Sequence, residues 1–66
     1  MIQETRFGVR DKNGWACIHQ VDGFVPNLVK DAPIMIRGIR YWVWLVETHI
    51  HESGDIIQHV LLKTKG

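Results

Sequence analysis

Two histidines stand at alternate positions, His49-x-His51, with Glu47 two residues before the first. On a β-strand alternate side chains point the same way about 7 Å apart, so this spacing offers two ligands to one metal ion. A closed zinc site takes four ligands. No cysteine pair or second histidine pair is present to complete one, and His59 would join only if a three-residue hairpin loop set it opposite His49. The expectation is no bound metal and no cofactor, with metal-dependent activity at His49 and His51 as the third functional reading. Cys17 and His19 repeat the same spacing, with Asp22 following. A thiolate nucleophile needs exposure and a base within hydrogen-bond reach. A lone cysteine among β-branched residues is more often a small buried hydrophobe. Ser53, the only serine, sits in a turn signal, and the six glycines are scattered among turns rather than gathered into a phosphate-binding loop. These residues suggest no catalytic constellation, and the chain is expected not to be an enzyme.

A third constellation is Arg37, Arg40, Tyr41, Trp42 and Trp44. Proteins that hold single-stranded nucleic acid stack bases on aromatic rings beside cationic groups. The competing account makes Trp42 and Trp44 the largest pieces of a small core, where tryptophan supplies unusual buried area per residue. The core account is preferred at this level. Arg6, Arg10, Lys12, Arg37, Arg40, Lys63 and Lys65 would have to converge on one face to serve a polyanion, and sequence alone does not bring them together.

Behind these residues lie 66 positions, enough for one domain, residues 1–66, with a small core. Apolar residues make up 45% of the chain, which argues against disorder. Eight Lys and Arg stand against seven Asp and Glu, so net charge gives little support to binding driven by phosphates alone. A single cysteine, no basic and apolar leader in Met1–Arg6, and no strictly apolar run longer than Tyr41–Val46 point to a soluble cytoplasmic protein without membrane attachment.

Val, Ile and Thr total 18 residues against six Ala and Leu, a composition that favours the pleated sheet over the helix. Alternation predicts strands at 2–10 and 15–21, joined by the turn Asp11-Lys12-Asn13-Gly14. A short strand follows at 34–36, then a long one at 39–51 and a last one at 56–64, reversed at Ser53-Gly54. The segment 24–33, bounded by two prolines, reads as a loop with at most one helical turn near 27–31. The fold expected is all-β: a small five-stranded antiparallel sheet or partly open barrel, SH3-like or OB-like in strand count and length.

With Ser53 and Gly54 as the loop, His51 faces Ile56 and Leu45 faces Leu62. The even face of the long strand (Trp42, Trp44, Val46, Thr48, Ile50) is then the better core. The odd face carries Tyr41, Val43 and Leu45 opposite Val60 and Leu62. A bulge or a different loop length would exchange these assignments. Large exposed apolar patches often mark interfaces. Tyr41, Val43, Leu45, Val60 and Leu62, rimmed by Arg37 and Arg40, are therefore expected to bind another protein or a second copy. The bland account is that Leu28 and Val29 of the middle loop plug this patch. The functional expectation is a non-catalytic protein-binding module, an inhibitor, adaptor or assembly subunit of the size found among phage- and plasmid-encoded accessory proteins. Single-stranded nucleic-acid binding through the Arg/Trp cluster is the second reading.

Overall fold

Alternating β-branched and polar residues, interrupted by positive-φ turns, fold into five strands. The computed structural model describes residues 2–65: β1 (Gln3–Asp11), β2 (Gly14–Asp22), β3 (Pro33–Ile36), β4 (Ile39–Ile50) and β5 (Ile56–Lys63), with no helix among the described residues. They form one sheet in the order β2-β1-β5-β4-β3, curled into a half-barrel. The all-β expectation holds, with one correction. β1 and β5 pair in parallel and every other pair is antiparallel, so the sheet is mixed. A parallel pair needs a long crossover. Here the crossover is β2, the segment 23–32, β3 and β4. No helical turn forms at 27–31: Asn27 (φ 63°) and Asp31 (φ 69°) are left-handed, which a right-handed turn does not tolerate.

The segment 23–32 leaves the end of β2 and crosses the concave side to β4. There the Asp31 amide donates to Val43 O (2.7 Å) and the Val43 amide to Ala32 O (2.9 Å). Val25, Leu28 and Ala32 pack on the buried cluster Phe7, Ile36, Val43, Val60 and Leu62. Thr5, fully buried beside them, donates its hydroxyl to Gly23 O (2.8 Å) and lies 3.1 Å from the Gln58 side-chain amide. This ties the start of the crossing segment to the central strands.

The core is not the even face of β4. Two features change the parity. The β4–β5 loop is five residues long (51–55), closed by the His51 amide on Asp55 O and the Gly54 amide on His51 O, both 2.9 Å. It pairs Ile50 with Ile56 rather than His51 with Ile56. A bulge between Val43 and Leu45 then adds Trp44 as an extra residue, so Val43 pairs with Leu62 but Leu45 with Leu61. The inward face is odd before the bulge (Tyr41, Val43) and even after it (Val46). Trp44, at 44% exposure, belongs to no core.

Phe7→Ala is therefore expected to cost about 3–5 kcal/mol, while Trp44→Ala costs less than about 1 kcal/mol. Denaturant midpoints of the two variants check this ordering, which is opposite to the one the even-face core implies.

Candidate functional site

Of the residues expected to form the partner patch, Val43, Val60 and Leu62 are interior and Tyr41 is half-buried against them. Leu28 covers this face as the bland account required, whereas Val29 points to solvent. Leu45, 51% exposed, sits beyond the bulge on the opposite, convex face; Arg37 lies in the β3–β4 turn and Arg40 is exposed on β4. The set does not form one surface. The bulge splits it, and the crossing segment covers the larger part.

The convex face carries the features that sequence reasoning missed. In the centre of β1, Gly8 lies beneath the indole of Trp15 from β2; a Cβ on Gly8 would overlap Trp15 Cε2, Cζ2 and Nε1. A glycine inside a strand marks this kind of close approach, and that was the signal available in the sequence. Trp15 meets His59 edge-on (centroids 5.3 Å apart, planes at 64°), and His59 meets His49 (4.4 Å, 60°). His49 Nε2 is 2.6 Å from Glu47 Oε1. With Leu45 and Leu61 these residues line a depression of about 220 Å³. His59 enters because the five-residue loop sets it opposite Glu47, diagonal to His49. Burial, then the neighbouring His49 and Arg6, lowers its pKa from the ordinary 6.5.

His51 has left the strand for the loop, so the His49-x-His51 pair does not share a strand face. Among the described residues no group of three His, Cys, Asp or Glu side chains is arranged to hold a metal ion. A second bulge, in β2, separates the other pair: Cys17 stands opposite Gly8, and His19 opposite Phe7 with ring centroids 6.4 Å apart. Cys17 Sγ reaches the His19 carbonyl (3.5 Å), not its ring.

Charge is segregated along the strands. Arg10, Lys12, Lys30, Arg37, Arg40, Lys63 and Lys65 lie at the end holding the β1–β2 and β3–β4 turns, with Asp11 and Asp31, a side-chain net of +5. The other end holds Glu4, Asp22, Glu47, Glu52, Asp55 and a single cation, Arg6, a net of −4. Arg6 is held by Glu4 (Nε–Oε1 3.0 Å) and Lys63 by Asp31 (2.7 Å), which lowers the Asp31 pKa; the other six cations make no ion pair among the described residues. Antiparallel connection brings this about: distant turns of the chain fall at the same end of the sheet. Trp42, paired with Lys63 and Pro33, and Trp44 lie toward the basic end.

Protein-family models, curated proteins and solved structures were compared with the chain, and none matches it.

Two outcomes follow. Gly8→Val should force the Trp15 indole off the convex face with the fold retained, seen as a red-shifted tryptophan emission and unchanged far-ultraviolet circular dichroism. The depressed pKa of His59 means that the folded chain binds fewer protons than the unfolded chain. Stability should fall as pH drops below the unfolded value near 6.5, with the full penalty reached below the folded value. Urea midpoints between pH 7.5 and pH 5, estimated to bracket the unfolded histidine value, should decline less in His59→Gln.

Proposed function

We propose that the protein is a non-catalytic binding module whose basic, tryptophan-bearing end takes single-stranded nucleic acid. The observation that supports this reading is the coincidence of two features: a side-chain net of +5 at one end, and two tryptophans toward it that lie outside the core cluster, Trp44 exposed and Trp42 half-buried. The balanced overall charge hid the first feature, and the even-face core explained away the second. Arg10, Arg37 and Arg40 serve phosphates, while the indoles of Trp42 and Trp44 offer π-faces to unpaired bases. Stacking is worth about 1–3 kcal/mol per base and tolerates any sequence, and duplexes hide the faces it needs. Tyr41, included in the aromatic cluster from sequence, turns inward and takes no part.

Binding of another protein, as an inhibitor, adaptor or assembly subunit, is the second reading. It is favoured by the depression floored by Leu45 and Leu61 under Trp15, which suits an apolar side chain.

Fluorescence anisotropy with a labelled oligothymidine tests the first reading. Affinity should fall steeply with salt, with a slope of about −0.7 per phosphate contacted. Trp44→Ala should weaken binding about tenfold at an unchanged unfolding midpoint. Arg40→Ala should flatten the salt slope. No binding by the folded protein at low ionic strength overturns the reading and leaves protein binding in its place.

A further inference from the structure

We propose that the acidic end of one copy receives the β3–β4 hairpin of a second copy, so that chains associate head to tail. The receiving surface follows from the path of the crossing segment. It starts on β2 at the acidic end and reaches β4 only at Val43, near the basic end, so it covers the concave face diagonally. The uncovered corner is a hollow of about 320 Å³ lined by Phe24, Thr48, Ile50, Ile56 and Gln58. Ile50 is 76% exposed there, and Phe24 is exposed as well. Asp22, Glu52 and Asp55 lie at this end of the strands; the carboxylate of Asp55 accepts the Ile2 amide (2.8 Å), which holds its pKa below the ordinary carboxylate value.

The inserting element is at the opposite end of the same molecule. Trp42 is the first residue of β4 with a partner on β5, so Ile39–Tyr41 pair with β3 alone and continue past the end of β5 as a two-stranded hairpin. Its turn is Arg37-Gly38, with Arg37 left-handed (φ 53°), and it exposes Met35 and Arg40 on one face and Ile39 on the other. The hairpin is thus apolar and cationic, and the hollow, itself uncharged, lies at the end of the sheet that carries Asp22, Glu52 and Asp55. An apolar hollow beside carboxylates and a projecting hairpin with exposed apolar side chains beside arginines are complementary in shape and charge. The two surfaces differ and sit at opposite ends, so the contact is heterologous and propagates beyond a pair. The inference uses charge and shape alone and does not depend on the nucleic-acid reading.

Sedimentation of the nucleic-acid-free protein tests it. At low ionic strength the mass should rise with concentration above that of one chain and return to it in high salt, where the opposed charges are screened. Arg37→Glu and Glu52→Lys should each remain monomeric, and an equimolar mixture of the two should associate again, because every contact in it is either native or charge-reversed. Ile50→Ser, which leaves the charge unchanged, should weaken association as well. A wild type that stays monomeric up to millimolar concentration at low salt overturns the proposal. So does association that persists in both charge variants, or a mixture that stays monomeric. If one variant fails to fold, Ile50→Ser and the remaining charge variant decide.

Discussion

Val43 and Val46 both face the interior although three positions separate them, and the rest of the molecule depends on that. A regular strand would send one of them outward. The extra residue, Trp44, restores both to the same side and releases its own ring to solvent. The bulge therefore converts an unbroken apolar run, Tyr41–Val46, into a strand with one core face. Without it, a register continued from the Val43–Leu62 pair would set Leu45 inward opposite Val60, in the place Val46 now holds, and would turn Val46 outward. The same displacement places Leu45 and Leu61 side by side on the convex face, where they floor the depression beside Trp15. Core and surface site are two results of one inserted residue.

Much of the fold was legible in the residues because strands and tight turns are local. Asn13-Gly14 announced the first hairpin, and Gly14 adopts the positive φ that it requires. The five strands fall close to where alternation and β-branching put them. What was not legible is long-range. The parallel pairing of β1 with β5 depends on where a crossover carries the chain, and no residue encodes that by itself. Ser53-Gly54 looked like a two-residue loop, yet hydrogen bonds between His51 and Asp55 close a wider one and shift the pairs from Ile50–Ile56 to Leu45–Leu61 by one, and the bulge shifts Val43 and Trp42 by one more. Because the side-chain period of a strand is two, that single step and the bulge were enough to mistake lining for surface at Val43, Val60 and Leu62.

The candidate site was legible in kind but not in place. Arg37, Arg40, Trp42 and Trp44 were recognisable as a cationic and aromatic group, but the weight given to them turned on burial, which sequence ranks poorly for tryptophan. Net charge misled for a related reason. A sum of +1 is compatible with an even distribution or with two opposed ends, and only the antiparallel return of the chain decides between them. His59 illustrates the same point on a smaller scale: it meets His49 and Trp15 through register, from a position ten residues away from one and 44 from the other.

The parallel pairing at the centre of the sheet has a mechanical consequence. β1 is the first strand and β5 the last, they are neighbours, and they run the same way. A force drawing the start of β1 away from the end of β5 acts along the strands in opposite senses. It loads all the ladder hydrogen bonds from Gln3–Ile56 to Val9–Leu62 together, in shear, instead of opening them one after another as at the end of a hairpin. The interlocked side chains of Phe7, Val60 and Leu62 would have to slide past one another at the same moment. A small core usually implies a chain that pulls apart easily; in this arrangement the weak directions are the flanking hairpins, and the axis joining the start of β1 to the end of β5 is the stiff one.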